Sequence, residues 1–200
     1  MGRTVHVIGN GDGANLYKPS KGIKLTCNLP PFPVEDVYAT CMVDFKMMAA
    51  INEGSLQVGG EWVVGARPNL WCQQKPDFYM KYAPQIKEFY LALPEYVKDY
   101  TDFNCGHFAV HYALSKLKAD EIHMYGFDSI FDFNMKSCTD FYLNSDRQHT
   151  NSFRLMNNWR PVWEAMFNEF SDRRIILHHR HDGLRLTVGS NVEIRVSNGK

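Results

Sequence analysis

The sequence predicts an α/β fold in which helices cover both faces of a doubly wound, mostly parallel sheet. Short apolar segments rich in β-branched residues alternate with segments of helical periodicity. The first predicted strand runs directly into a glycine-rich loop, and neither a repeat nor a low-complexity linker interrupts the chain. The 200 residues, 44% of them hydrophobic, fit one domain spanning 1–200.

The first half of the chain is predicted to supply four strands and two helices. The strands are short segments rich in apolar and β-branched residues and bounded by glycine or polar residues, at 4–8, 22–27, 37–43 and 62–65. A helix is expected over 45–52, with Gly54 just past its end. The segment 67–104 is rich in proline and aromatic residues, and we expect an excursion or lid over the active-site face, with a helix at 85–91.

The second half predicts two helices and further strands. Apolar residues recur at helical spacing over 107–117 and over 151–170, where Pro161 should kink or break the helix. Strands are expected at 121–125 and 174–178. A small C-terminal β-hairpin is expected from 184–188 and 192–196, which Gly189-Ser190-Asn191 separates.

Composition limits the classes of partner. The 22 basic residues cancel the 22 acidic ones, so we expect no general nucleic-acid binding. No segment reaches the roughly 18 apolar residues of a membrane span, and the N-terminus lacks a signal-peptide pattern, so a cytoplasmic location is expected. The five cysteines are odd in number and widely spaced, which favours reduced thiols over disulfides or a zinc site. Homo-oligomer formation stays open.

The loop after the first strand, Gly9-Asn10-Gly11-Asp12-Gly13-Ala14, predicts a ligand site. Glycines let the backbone turn sharply and approach a ligand, with amide hydrogens free to meet oxyanions. The loop formally matches the G-x-G-x-x-A fingerprint of a Rossmann-like domain, yet the second strand ends in Cys27-Asn28 rather than in the acidic residue that a dinucleotide ribose needs. A nucleotide-linked ligand is therefore predicted, a dinucleotide oxidoreductase is disfavoured, and a tight turn without ligand is the alternative.

Several motifs resemble those of a known family. The first block consists of Val7-Ile8-Gly9-Asn10-Gly11-Asp12-Gly13, Cys27-Asn28 and Val43-Asp44. The second block consists of Cys105-Gly106-His107-Phe108, Glu121-Ile122-His123-Met124-Tyr125-Gly126-Phe127-Asp128 and Gln148-His149-Thr150-Asn151. Together they resemble the bacterial sialyltransferases of glycosyltransferase family 42 and the related motility-associated glycosyltransferase-like and pterin diphosphokinase-like proteins. Asp12 and Gly13 stand where that family usually has Pro and Ser.

The resemblance implies transfer of a sugar from a nucleotide-activated donor to an acceptor hydroxyl, without a tightly bound cofactor. The donor-binding residues that it implies are Gly9, Asn10, Gly11, Asp12, Gly13, Asn28, Asp44, Gly106, His107 and Asp128. His149 is the expected general base, because an imidazole with an ordinary pKa near 6.5 accepts a proton at neutral pH. Tyr142 and Arg147 are candidates to meet the leaving phosphate.

A metal site is considered and not expected. On a strand, His179 and His181 would share a face, but no cysteine or HExxH helix supports a zinc site, so we expect them to line the ligand pocket. A set of aromatic residues could form an acceptor-binding lid or pack a helical subdomain: Tyr79, Tyr82, Phe89, Tyr90, Tyr96 and Tyr100.

Two other functions remain open. A Mg²⁺-dependent phosphotransferase like the diphosphokinase relatives would use Asp12, Asp44 and Asp128. A non-catalytic protein that sequesters or senses a nucleotide would bind tightly without turnover. In each case the expected partner is a small nucleotide ligand.

Overall fold

The computed structural model describes residues 2–132 and 155–198, which form an α/β fold around one eight-stranded sheet. All seven strand pairings are parallel, and the strands run in the order β5-β4-β3-β2-β1-β6-β7-β8. The strands are β1 Thr4–Ile8, β2 Ile23–Cys27, β3 Val37–Met42, β4 Trp62–Val64, β5 Ile86–Phe89, β6 Glu121–Tyr125, β7 Arg174–His179 and β8 Val192–Val196. The predicted α/β class is confirmed.

Five α-helices lie within the described ranges. They are α1 Phe45–Glu53, α2 Ala66–Gln74, α3 Pro76–Tyr82, α4 Cys105–His111 and α5 Arg160–Glu169. A π-helical turn, Leu155–Trp159, leads into α5, so the hydrogen-bonding pattern changes just before Pro161, where the missing amide hydrogen is tolerated. None of these helices is long and apolar enough to cross a membrane.

Helices pack against both faces of the sheet. On the first face, Val5, Val7 and Leu25 join Phe108 of α4 and Trp163 of α5 in the larger core. On the second face, α1, α2 and α3 cover β3 and β4 in a smaller core. Its members include Met42, Met47, Ile51, Trp62, Cys72 and Phe78. Alternate residues of each strand serve the two faces, as a sheet covered on both sides requires.

Two predicted elements differ in the structure. The helix expected at 85–91 is wrong, because Ile86–Phe89 forms edge strand β5, paired with β4. The last two strands do form a pair at the edge of the sheet, but β8 runs parallel to β7 and 184–188 is not a strand. That segment bonds elsewhere, since the Arg185 amide donates to the Ile130 carbonyl at 2.9 Å. Residues 184–188 belong to the connection that brings the chain back so that β8 can pair parallel to β7.

Candidate functional site

The carboxyl edge of the sheet contains a topological switch point between β1 and β6. The chain progresses from β1 to β5 on one side and from β6 to β8 on the other, so the loops after β1 and β6 leave the sheet beside each other. The Gly9 amide donates to the Tyr125 carbonyl at 2.7 Å, and the Gly11 amide donates to the Gly126 carbonyl at 3.0 Å. The glycine loop is thus fastened to the end of β6.

The glycine loop also binds an anion that belongs to the protein itself. The Gly13 amide donates to both carboxylate oxygens of Asp128, at 3.1 and 3.3 Å. Burial raises the pKa of Asp128, while the hydrogen bond from Gly13 and the nearby His179 oppose that shift. The amides of Gly9, Gly11 and Gly13 therefore all bond within the protein, and the Asp128 carboxylate lies where the sequence suggested a ligand oxyanion.

Close packing explains why this loop is built from glycine. A Cβ at Gly11 would lie 2.6 Å from Cγ of Asp128, and one at Gly13 would lie 2.7 Å from its Oδ1. Gly126 has a left-handed backbone with φ +76° and faces Ala14. The glycine pattern is thus required by the approach of β6 and Asp128, whether or not a ligand also uses it.

Asn10 and Asn28 meet at the ends of β1 and β2. The Asn10 Nδ2 donates to the carbonyls of Cys27 and Leu29, at 2.8 and 2.6 Å, and so fixes the backbone on both sides of Asn28. Asn28 adopts a left-handed conformation, φ 53°, and its side-chain oxygen is buried without a hydrogen-bond partner among the described residues. This oxygen is an acceptor that a ligand could use.

Asp44 and Gly106 continue the same edge. Asp44 follows β3 and forms an ion pair with Arg67 at 3.0 Å. Gly106, at the start of α4, packs so closely on Phe127 that a Cβ would lie 2.8 Å from its ring. Beside them lies a crevice, lined by Val43, Gly65, Arg67, Tyr90, Tyr100 and Phe108. Arg67 was not selected from the sequence, where no motif marked it. Tyr90 and Tyr100 belong to the aromatic set that the sequence suggested as an acceptor-binding lid or as helical packing.

His107 has a structural position instead of facing this edge. It is fully buried, its Nδ1 accepts from the Asn104 amide at 3.1 Å, and its Nε2 lies 3.1 Å from the Trp159 carbonyl. Asn104 accepts in return from the His107 amide, which completes a capping box at the start of α4. Burial lowers the pKa of His107 to about 3, so the ring is neutral and contacts no open surface.

The remaining predicted site residues fall into two groups. Asp12 is exposed beside the loop. Tyr142, Arg147 and His149 lie outside the described residues, and their roles stay predictions.

A histidine array lies on the second face, away from α1–α3. His6 of β1 stacks on His123 of β6 with ring centroids 4.9 Å apart, and Tyr125 stacks on His178 of β7 at 4.3 Å. His123 bridges His178 and Glu121, with ring nitrogens 2.8 and 2.7 Å from them. Burial lowers the pKa of His6 and, with help from His123, lowers that of His178 to about 4. These rings stack on and hydrogen-bond to one another, and they cover this part of the sheet.

A second polar group, of which the sequence reasoning found only the two histidines, adjoins Asp128. Asp132 lies between His179 and His181, with oxygens 3.0 and 2.8 Å from their Nε2 atoms. The two histidines could be recognised from the sequence, since alternate strand residues share a face. Asp132 could not, because it precedes His179 by 47 residues and is brought to it only by the pairing of β6 with β7.

Comparisons with protein-family models, with curated proteins and with solved structures found no match to this chain. Its function therefore has to be argued from the chemistry of the carboxyl edge. That edge offers an amide oxygen of Asn28 without a hydrogen-bond partner in the described ranges, a guanidinium at Arg67, and a carboxylate–imidazole group around Asp128.

Proposed function

We propose that this chain binds a nucleotide-activated sugar at the carboxyl edge of its sheet and transfers the sugar to an acceptor hydroxyl without a metal ion. The observation that carries the proposal is a continuous arc of predicted donor-binding residues. It runs from Asp128 through the glycine loop to Asn28 and on to Asp44 and Gly106. Residues from five separate parts of the chain thus meet where open parallel sheets bind their ligands.

Asn28 supplies the sharpest reason to expect a ligand. A buried acceptor without a partner costs about 1–3 kcal/mol, and an N–H or O–H group of a ligand would recover that free energy. Nucleobases and riboses carry such donors. Asn28 has a left-handed backbone, and the two hydrogen bonds from Asn10 fix the backbone on both sides of it before a ligand arrives.

The donor phosphate is expected away from the glycine amides. Asp128 already accepts from the Gly13 amide, and a phosphate there would meet like charge. Arg67, paired with Asp44 beside the crevice, offers a guanidinium that can bind a phosphate. His149 as general base, with Tyr142 and Arg147 near the leaving phosphate, completes the proposal from the motif resemblance.

A cytoplasmic location and a nucleotide partner belong to the same proposal. The four cysteines within the described ranges, Cys27, Cys41, Cys72 and Cys105, are unpaired and buried. Burial raises the pKa of Cys41 and of Cys72, which keeps these thiols protonated. Reduced thiols fit a reducing compartment.

A nucleotide-release assay tests the activity. The full chain is incubated with CMP-, UDP- and GDP-linked sugars, in EDTA and in Mg²⁺, with a panel of acceptor sugars. We expect one nucleotide to be released equally in both media. His149→Ala should slow release by about 100-fold or more, the usual contribution of a general base, while the neighbouring Gln148→Ala should not.

Other outcomes would replace the proposal. Binding without release, unaffected by His149→Ala, would indicate a nucleotide-sequestering protein. Activity only in Mg²⁺ would indicate the phosphotransferase. The geometry gives this alternative only part of its carboxylate set. Asp12 lies close enough to Asp128 to raise the pKa of that carboxyl, but Asp44 already forms an ion pair with Arg67.

A pair of matched variants tests the site separately from the chemistry. Asn28→Gly removes the unpaired oxygen and keeps a residue that tolerates the left-handed backbone. Asp36→Gly is the control, since Asp36 has the same φ of 53° but is exposed in the loop before β3. Calorimetry should show weaker nucleotide binding by Asn28→Gly alone. Equal affinities in both variants would place the ligand elsewhere.

A further inference from the structure

Two histidines and an aspartate form a compact group beside the switch point. Asp132 follows the turn after β6, His179 ends β7, and His181 lies two residues further on. The three candidate ligand atoms all lie within 4.8 Å of one another. The Asp132 oxygens lie 3.0 Å from Nε2 of His179 and 2.8 Å from Nε2 of His181. Both imidazoles thus direct the same nitrogen to one carboxylate.

His179 is held rigidly between two carboxylates. Its ring stacks on Phe131, with centroids 3.9 Å apart, and only 3% of the residue is exposed. Its Nδ1 is buried without a hydrogen-bond partner in the part of the chain that the structure describes, and it faces Oδ1 of Asp128 at 3.9 Å. Asp128 is itself anchored by the Gly13 amide.

A neutral His179 cannot satisfy both carboxylates. With its proton on Nε2, the ring donates to Asp132 but turns the Nδ1 lone pair toward Asp128. With its proton on Nδ1, it turns the Nε2 lone pair toward Asp132 at 3.0 Å. A cation between Nε2 and Asp132 removes this conflict, because both lone pairs then point at the cation and the Nδ1 proton points at Asp128. A carboxylate behind a metal-binding imidazole is a recurrent arrangement.

His181 can serve as the third ligand after a small adjustment. Its Nδ1 accepts from the Gly183 amide at 3.0 Å, so its neutral ring carries the proton on Nε2. Metal binding at Nε2 moves that proton to Nδ1, so the Gly183 amide has to donate to solvent instead. Solvent is available there because the His181 side chain is 45% exposed.

We propose that Asp132, His179 and His181 bind a divalent transition-metal ion, with Asp128 positioning His179 from behind. Two imidazole nitrogens and one carboxylate suit Zn²⁺, Co²⁺, Ni²⁺ or Fe²⁺ better than Mg²⁺ or Ca²⁺, which prefer oxygen ligands only. Three protein ligands leave a position for water or a ligand group. The half-exposed side chains of Asp132 and His181 give solvent access to it. The metal proposal does not rest on the proposed transferase activity, although both sites use Asp128.

Metal binding to the full chain, stripped with chelator and free of any affinity tag, tests the site without nucleotide. Calorimetry with Zn²⁺ and the visible absorption of the Co²⁺ complex should show one ion bound with imidazole ligation. Asp132→Asn and His181→Ala should each weaken binding by at least about 10-fold, and Asp128→Asn by about 10–100-fold, as loss of a carboxylate behind a ligand does. Asp182→Asn, an exposed carboxylate next to His181, is the matched control and should bind as the unaltered chain does.

Three results would overturn the proposal. One is the absence of stoichiometric binding, together with nitrogen NMR signals of a doubly protonated His179 between its two aspartates. Another is unchanged affinity in both ligand variants, which would make the ion adventitious. The third is an equal loss in Asp182→Asn, which would mean that general surface charge attracts the ion. His181 is exposed, so its variant is expected to stay folded, and circular dichroism checks this.

Discussion

Replacing Gly126 with alanine should damage the junction that fastens the glycine loop to β6. Gly126 has φ +76°, a conformation that a residue with a Cβ rarely adopts. A Cβ there would lie 2.9 Å from Cβ of Ala14 and 3.1 Å from the Gly11 carbonyl oxygen. These atoms belong to the loop backbone and to a short buried side chain, so they cannot rotate away. The loop itself has to move.

The structure separates two contributions to the free energy of unfolding. Left-handed strain on a residue with a Cβ costs roughly 1–2 kcal/mol. Forcing an extra methyl group into packed surroundings costs roughly a further 1–3 kcal/mol. Gly54→Ala is a matched control for the first effect alone, since Gly54 has φ +80° and a Cβ there meets nothing within 4 Å. Gly126→Ala should therefore be the more destabilising variant by roughly 1–3 kcal/mol.

Urea unfolding followed by tryptophan fluorescence measures both variants against the unaltered chain. The comparison uses midpoints at a common m value, so that the shift reports stability rather than a change in the unfolded state. Equal losses in the two variants would refute the close packing of Gly126 on the loop. A further check is nucleotide affinity, which should fall in Gly126→Ala and stay unchanged in Gly54→Ala.

Two further predictions concern the buried His107 and the hydrogen bond from Gly13 to Asp128. Burial lowers the pKa of His107 to about 3, so between that value and the unfolded pKa near 6.5 the unfolded chain binds more protons. This contribution to the free energy of unfolding should be complete above pH 6.5 and should fall by on the order of 2 kcal/mol at pH 5, as measured by urea titration. The fall should be smaller in His107→Gln, whose amide can retain the capping box. If the free energy of unfolding depended on pH equally in the unaltered chain and in His107→Gln, this prediction would be wrong. Asp128→Ala should free the Gly13 amide for an outside anion. Pyrophosphate should therefore raise the melting temperature of this variant more than that of the unaltered chain or of Asp182→Ala, a control at an exposed carboxylate outside the loop. Equal shifts in all three would mean that Asp128 does not occupy that amide.

Local patterns in the sequence were enough to predict most of the strands and helices. The apolar, β-branched segment at β1, the helical spacing in α4 and the glycine after α1 each reflect constraints that act within a few residues. The parallel arrangement also followed, because strands that alternate with helices return in the same direction. The rule that ligands bind beyond the carboxyl ends of the strands directed attention to Asn28, Asp44 and Asp128, and these residues do follow β2, β3 and β6.

Contacts between distant parts of the chain decided the rest. Residues 86–89 form a strand because β4 offers an open edge, and 184–188 do not because Ile130 accepts the amide of Arg185. The amide of Gly13 donates to the carboxylate of Asp128, 115 residues away. The anion position that the sequence predicted in this loop is therefore occupied by a side chain of the protein itself. No local periodicity encodes such a meeting, because it arises only when β6 takes its place beside β1.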